Sequence, residues 1–302
     1  MKTETLPTPD RVATFEANRR RLWQIAYRML GSRAEADDIV QDAYLRWHAA
    51  PLEDVHTPQA WLVTTVTRLA IDRLRQLRVE RELYVGPWLP EPLVSEAAPA
   101  ADHAAELASE LSVAFLALLE RLAPEERAAF LLHEFFDAGY GEIAQALGKN
   151  EATCRQIVSR ARKRIRVDRP RIPVSRERVN ALLERFLSAV HAYDQKAVLA
   201  LLAPDATWTT DGGGKVRAAL RVLKGAERVA KFAIGVARKF QAGVEYRPAD
   251  VNGEPGFVLL RDGEVESVMS VRTDGLRILE VHVIRNPDKL RRVRIGAAPV
   301  TT

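Results

Sequence analysis

A tight turn at Gly148–Asn150 sits between two amphipathic helical segments, YGEIAQAL and EATCRQIVSRARKRIR, and few folds accommodate that pairing. In the first segment Ile143, Ala144 and Leu147 share one helical face. Gly148 is placed to end it in a left-handed conformation, and Asn150 is placed to cap the second segment. There Cys154, Ile157, Val158, Ala161 and Ile165 form an inner stripe. Thr153, Arg155, Gln156, Ser159, Arg160 and Lys163 are left facing outward. This is a helix-turn-helix, in which the first helix braces and the second enters the major groove. Those six outward residues are therefore the candidate DNA contacts. From Lys149 to Arg171 there are nine Lys or Arg against two acids, a net of +7, while the whole chain carries +5. Phosphate neutralisation uses such a density; a solvated basic surface helix is the alternative.

The 302 residues suffice for two or three domains with their own cores. A pI near 9.4 favours a polyanionic partner. The single cysteine, Cys154, rules out an internal disulfide or a cysteine-cluster metal site, and its place on the inner stripe suits a small buried hydrophobe. The six histidines show no metal-ligand spacing, no repeat is visible, and no cofactor motif is present. No apolar run approaches membrane-spanning length and the N-terminus has no signal-peptide core, so the expected compartment is the cytoplasm.

Residues 11–83 read as several helices. Phe15, Leu22, Ile25, Ala26 and Leu30 mark one that stops at Gly31. Ser32 and Glu35 have capping-box spacing for the next, whose apolar face is Ile39, Val40, Ala43, Tyr44 and Trp47. Its acidic first half suits the helix dipole or an acidic docking surface. Pro51 and Pro58 bracket a polar loop. A long helix then runs from Trp61 to Arg81, with Val63, Val66, Ala70, Leu74 and Leu77 as the expected buried stripe. Its arginines, Arg68 and Arg75 among them, can track a phosphate backbone; Trp61 suits core packing better than base stacking.

Residues 84–106 are rich in proline and alanine and cannot be one helix. The first half, YVGPWLPEP, reads as an extended segment docked on a surface, because inert spacers rarely carry Tyr84 and Trp88. Residues 107–171 hold the helix-turn-helix, preceded by an apolar stripe (Leu111, Phe115, Leu118, Leu119, Leu122) and a helix started by Pro124 with Ala128, Leu131, Leu132 and Phe135 inside.

Composition changes at residue 175. A long amphipathic helix (Val179 to Val190) and a short one (Val198 to Leu202) precede DATWTTDGGG, a helix near Ala226–Lys239, and four strand-like runs, the last three separated by the turns DGE and TDG. Helices followed by an antiparallel meander predict an α+β cone over 175–290. If the cone were an enzyme, its base would come from His191, Asp194, Asp211, Glu280 or His282. Asp194 at a helix end and Asp211 in a glycine turn have ordinary structural explanations. Asp211 to Lys215 reads equally as a plain hairpin turn and as a contact loop whose glycines permit close approach.

Three ordered blocks, AEADDIVQDAYLRW, PQAWLVTTVTRLAIDRLR and LAPEERAAFLLHEFFDAGYGEIAQALG with its basic helix, resemble the bacterial sigma factors of the extracytoplasmic-function group. The resemblance implies a sigma two domain over 11–83 and a sigma four domain over 107–171. Asp37, Asp38, Gln41 and Asp42 would then dock on the clamp of the polymerase largest subunit, with a further contact to the flap of the second-largest. Trp61, Arg68 and Arg75 would serve the −10 element, and helix 151–166 the −35 element of promoter DNA. Arg68 departs from the Asn many members carry, which keeps phosphate binding but removes amide-type base readout. Residues 175–290, with LLAPDATWTTDGGGK, resemble SnoaL-like domains of the NTF2-like cone fold. YVGPWLPEP and HVIRNPDKL resemble motifs of the sigma subgroup carrying that extra domain. They imply regulatory contacts at Tyr84, Pro87 and Trp88, at Asp211, Gly212, Gly213, Gly214 and Lys215, and at Asn286, Pro287, Asp288 and Lys289. The resulting expectation is a non-enzymatic initiation sigma factor with a fused regulatory domain. A ligand-responsive helix-turn-helix regulator, with a small molecule in the cone, and a SnoaL-like enzyme with a DNA-binding appendage are the alternatives.

Overall fold

The computed structural model describes residues 11–51, 55, 57–95, 112–166, 174–240 and 243–295. They fall into two compact units, Met1–Glu80 with Leu119–Asp168 and Arg81–Leu118 with Arg169–Thr302. The expected first domain and helix-turn-helix domain thus share one unit, and the Tyr84 segment belongs to the unit of the C-terminal domain.

The helical elements up to residue 166 are α1 (Arg11–Leu30), α2 (Arg33–Ala49), α3 (Pro58–Glu82), α4 (Val113–Leu119), α5 (Pro124–Phe135), α6 (Tyr140–Leu147) and α7 (Glu151–Arg166). Phe15, Leu22, Ile25, Ala26 and Leu30 are buried along α1, as the periodicity predicts. Ser32 caps α2 by accepting from the Glu35 amide. The Glu35 carboxylate is held by both arms of Arg73 on α3, at 2.6 and 2.7 Å, so the long-range fork takes the carboxylate that a capping box would turn back. On α2, Ile39, Val40, Ala43 and Trp47 are buried, and Tyr44 packs edge-on against Phe15.

Helix α3 starts three residues before the expected Trp61, at Pro58. Its buried residues are Leu62, Val66, Thr67, Ala70, Ile71 and Leu74. Val63 and Leu77 are only half-buried, because the core-facing stripe follows the i, i+4 row through Leu62 and is widened by Thr67 and Ile71. The loop before α3 lies largely outside the described residues, as do Leu111 and the second half of the linker.

The core of this unit also contains two buried arginines. Arg127 on α5 donates from Nε to the Arg28 carbonyl at 3.1 Å and pairs with Glu120. The Arg28 guanidinium lies over the Phe136 ring, 5.0 Å from its centroid. These contacts tie α1 to α5.

In the second unit, α8 (Arg176–His191), α9 (Gln195–Leu201) and α10 (Ala226–Lys239) pack on one sheet. Its strands are β1 (Val94–Ser95), β2 (Leu202–Asp211), β3 (Leu223–Lys224), β4 (Val244–Val251), β5 (Glu254–Arg261), β6 (Glu264–Thr273) and β7 (Ile278–Ile284), followed by α11 (Pro287–Leu290). Strand order is β1-β4-β5-β6-β7-β2-β3. The meander β4 to β7 is antiparallel as expected, but β2 joins β7 in parallel. DATWTTD was not legible as a strand: its last residue runs into three glycines and its partner is some seventy residues away in the chain.

The two faces of the sheet have separate cores. Val281, Val283, Val271, Met269 and Trp208 point to the helices with Phe186, Val229 and Ala233. Ile284, Val268, Val258 and Val251 face the other way and gather Leu89, Val113 and Leu290. Strand alternation therefore places Glu280 and His282 on the face turned away from the helices.

Candidate functional site

In the helix-turn-helix, Gly148 adopts φ +63°, and its amide bonds back to the Ala144 carbonyl. A side chain there would be strained, which is why glycine ends this helix. Asn150 Oδ1 accepts from the Thr153 amide at 2.8 Å and starts α7. Cys154, Ile157, Val158, Ala161 and Ile165 are all buried, and burial pushes the Cys154 thiol pKa up, as an inert packing residue requires. On α6 the buried pair is Ile143 and Ala146; Ala144 and Leu147 are half-buried, because a two-turn helix touching α5 and α7 turns its i, i+3 edge inward.

Arg155, Gln156, Ser159, Arg160 and Lys163 are exposed along α7, and Thr153 is half-buried. Arg155 pairs with Glu151 at 2.7 Å and lies over the Tyr140 ring. Arg162 and Arg164 are taken by Glu134 and Glu126 of α5, at 2.5 and 2.6 Å. The basic run therefore divides by role: those two arginines brace the helix, while Gln156, Arg160 and Lys163 stay available to a groove.

The arginines of α3 are engaged inside the same unit. Arg68 donates from Nε to the Ala146 carbonyl at 3.0 Å and from Nη2 to the Gln145 carbonyl at 2.6 Å. It thereby satisfies terminal carbonyls of α6, where a cation also suits the helix dipole. Arg75 pairs with Asp72 and with Glu125 of α5, both at 2.9 Å. Trp61 rests against Trp47 with ring centroids 5.5 Å apart, the packing role expected for it. On α2, Asp38, Gln41 and Asp42 are exposed and line up with Leu45, which is 58% exposed. Asp37 is exposed too, but accepts from the Trp23 indole at 2.7 Å.

The three motifs carried by Tyr84–Pro92, Asp211–Lys215 and Asn286–Lys289 meet around one carboxylate. Asp211 ends β2 and is fully buried, not part of an exposed glycine turn. Its Oδ1 accepts from the Tyr84 hydroxyl at 2.5 Å and the Gly213 amide at 3.1 Å. Its Oδ2 accepts from the Leu89 amide at 2.9 Å and the Lys289 ammonium at 2.7 Å. Asn286 caps α11 through the Asp288 amide and donates to the Tyr84 oxygen at 2.8 Å. Burial, and then the bond to Asp211, raise the Tyr84 pKa well above the ordinary phenol value. Lys289 also bonds the Leu89 carbonyl, and its ammonium lies 4.2 Å from the Trp88 ring centroid, with Arg81 at 3.7 Å from the same ring.

Gly213, at φ +60°, passes so close that a Cβ would sit 2.3 Å from Asn286 Nδ2. Gly212 meets Ala218 and Gly214 meets Val85 in the same way, and Lys215 pairs with Asp288, whose pKa that bond lowers. Pro87 is half-buried, and Pro287 opens α11 where no amide donor is needed. Beyond the knot, Leu93 exchanges bonds with Asn252, at 2.9 Å to its side chain and 2.7 Å from its amide, and β1 adds to the edge of β4. Residues 84–95 are thus a strap pinned at Asp211 and at Asn252. Aromatic and proline content singled out the Tyr84 segment and glycine content the Asp211 loop, while resemblance to a sigma-subgroup motif marked Asn286–Lys289; nothing local signalled Asn252 or the pairing of Val94 with Val251.

Each of the five candidate bases of the cone has a structural partner, and two of them, Glu280 and His282, partner each other. His191 bonds the Leu187 carbonyl and stands edge-on to Tyr246. Asp194 caps α9 through the Ala197 amide. Asp211 is in the knot. Glu280 lies 3.3 Å from His282 Nε2 and pairs with Arg272 at 2.6 Å. Burial opposes ionisation of Glu280, but the His282 and Arg272 bonds outweigh it and hold its pKa down to about 2. A low-pKa carboxylate on the face away from the helices is a poor general base.

Comparison with known proteins gives matches over most of the chain. Residues 14–79 match the family model Sigma-70 region 2, and residues 112–165 match Sigma-70, region 4. The chain is 40% identical over 289 residues, 92% of each sequence, to the ECF RNA polymerase sigma factor SigJ of Mycobacterium tuberculosis. It is 29% identical to the probable ECF RNA polymerase sigma factor SigI of that organism, over 93% of this chain and 95% of the relative. The crystal structure of Mycobacterium tuberculosis SigJ superposes with a TM-score of 0.73 at 36% identity, covering 93% of this chain and 98% of that one.

Proposed function

This chain belongs to the extracytoplasmic-function RNA polymerase sigma factors, and from that premise we propose that it directs core polymerase to promoters under control of its own C-terminal unit. The fold is two helical sigma-factor regions with a fused SnoaL-like α+β cone. In this reading the row Asp38, Gln41, Asp42 and Leu45 on α2 docks on the clamp of the largest polymerase subunit, with Asp37 as its Trp23-anchored edge. The outward face of α7 reads the −35 element, the contact that the available Gln156, Arg160 and Lys163 support. Arg68 and Arg75 serve the −10 region once they leave α5 and α6. The protein performs no covalent chemistry, and its compartment is the cytoplasm, where core polymerase works. Among the described residues no helix is long and apolar enough to cross a membrane.

The observation that carries the regulatory part is the full burial of Asp211 with both strap and α11 donors on it. A strap held this firmly limits the linker between the two promoter-reading regions. Release of the strap changes how far those regions can separate, and so replaces a separate inhibitory partner. Run-off transcription with purified core polymerase tests both parts. The wild-type chain gives promoter-dependent transcript, and absence of transcript sinks the sigma-factor reading. An Asp211→Asn variant, which loosens the strap, changes the yield at equal protein concentration; an unchanged yield removes the regulatory role.

A further inference from the structure

We propose that the C-terminal unit carries its own contact for the sugar–phosphate backbone of duplex DNA, formed by the loop 215–224 and the outer face of α10. The choice of polyanion rests on the sigma-factor reading. From Lys215 to Lys239 there are eight basic residues and one acid, Glu227, a net of +7, and of the eight only Lys215 is engaged in the strap's knot. All eight are exposed. On α10, Arg228, Lys231, Arg238 and Lys239 fall on one face, opposite Val229, Ala230, Ala233 and Ile234, which are buried in the core.

On the sheet of the same unit the arginines have carboxylates: Arg247 with Glu245, Arg261 and Arg285 with Glu266, Arg272 with Glu280. In the 215–239 stretch Lys215 has Asp288, but Arg217, Arg221, Lys224, Arg228 and Lys231 have no ion pair among the described residues. Among the described residues Arg178, Arg185, Lys196 and Arg277 of this unit also lack an ion pair, but the 215–239 stretch differs in crowding five such cations, Arg217 to Lys231, into fifteen residues. A row of like charges without counter-charges repels itself, and an external polyanion relieves that repulsion.

Gly235 lies in the middle of the cationic face, between Lys231 and Arg238. A Cβ there would meet nothing within 4 Å, so no packing contact demands glycine, and the residue destabilises the helix relative to alanine. The bare backbone leaves room for a phosphate to approach between the flanking cations. Residues 215–239 contain no Asn or Gln for adenine, and their one aromatic, Phe232, packs edge-on to Trp208, so the contact assigned to the face is to phosphates. Ten residues separate Arg228 from Arg238, about 15 Å of helix, long enough to follow several phosphates along one strand.

The test uses the full chain and a fluorescent duplex lacking promoter elements, titrated by anisotropy at several salt concentrations. A variant with Arg221→Gln, Lys224→Gln, Arg228→Gln and Lys231→Gln is expected to bind at least about ten-fold more weakly. Its slope of log K against log salt should shrink by up to about 3.6, near 0.9 for each of four phosphates no longer neutralised. A second variant, Gly235→Gln, leaves the charge alone and improves the helix. It should melt at a higher temperature yet bind the duplex more weakly, which excludes misfolding as the cause. Wild-type affinity and slope in both variants overturn the proposal. So does a loss confined to binding of core polymerase or of single-stranded RNA, which assigns the face to another partner. Arg160→Gln with Lys163→Gln in α7, titrated on a promoter-bearing duplex, is the parallel control: unchanged binding there removes the −35 reading of α7, whatever α10 does.

Discussion

Replacing Asp211 by Asn should free the strap without unfolding the sheet, and the size of the effect is set by its four donors. The Tyr84 hydroxyl and Gly213 amide share Oδ1, while the Leu89 amide and Lys289 ammonium share Oδ2. An asparagine keeps one acceptor oxygen and turns an NH2 toward the other pair. Tyr84 can rotate to accept, but an amide facing the NH2 cannot. Lys289, whose side chain is 12% exposed, loses its ionic partner in either orientation. Breaking one side of a buried ion pair costs about 3–5 kcal/mol, and the retained bonds place this case near the lower end, about 3 kcal/mol. Local opening of the strap then becomes roughly 150-fold more frequent, at about 1.4 kcal/mol per factor of ten. Hydrogen exchange of the full-length protein reads this directly. The Leu89 and Leu93 amides should lose about two orders of magnitude of protection, while the β5 and β6 amides keep theirs. A loss below three-fold at Leu89, or an equal loss across the sheet, would refute the assignment of Asp211 as the strap's anchor.

Gly213→Ala places a methyl 2.3 Å from Asn286 Nδ2 at φ +60°, so the Asn286–Tyr84 bond must break; strap protection should fall by at least about ten-fold, on the order of 2 kcal/mol, and an unchanged exchange profile contradicts the contact. Gly148→Ala forces a side chain into a left-handed backbone and should cost about 1–2 kcal/mol, read as a lower melting temperature of the helical unit with its secondary structure intact. Burial, then the neighbouring Asp250 charge, push the Glu254 pKa up to about 8. A carboxyl raised in the folded state binds its proton more tightly there, so stability falls as pH climbs from the unfolded value near 4.5 to about 8. The slope is at most about 1.4 kcal/mol per pH unit. Glu254→Gln should flatten that part of the urea-midpoint profile; an unaltered slope assigns it to other groups. Glu280 acts in the opposite sense, contributing stability above its unfolded pKa that is lost as pH drops toward 2.

Elements whose signals are local were legible in the sequence. Gly148 and Asn150 fix the ends of two helices through bonds no more than four or five residues long, and the stripe from Cys154 to Ile165 repeats at the helical period. Helix α10 spans Ala226–Lys239, the limits expected for it. The Tyr84 segment could be recognised from its unusual aromatic and proline content and the Asn286 turn only by its resemblance to a family motif, while the carboxylate that joins them could not be told from a turn residue.

Partners far apart in the chain were decided by the tertiary structure alone. Tyr84 and Asn286 are 202 residues apart, and Leu89 and Asp211 are 122 apart. Arg68 caps a helix 77 and 78 residues later, a use of its guanidinium that no helical pattern on α3 could signal. β2 is parallel to a strand about seventy residues downstream, so its ladder leaves no hairpin turn to read. Composition and period record what a residue does to its own turn of backbone. Which buried charge meets which donor depends on how the layers close over it, and that closure exists only in the folded chain.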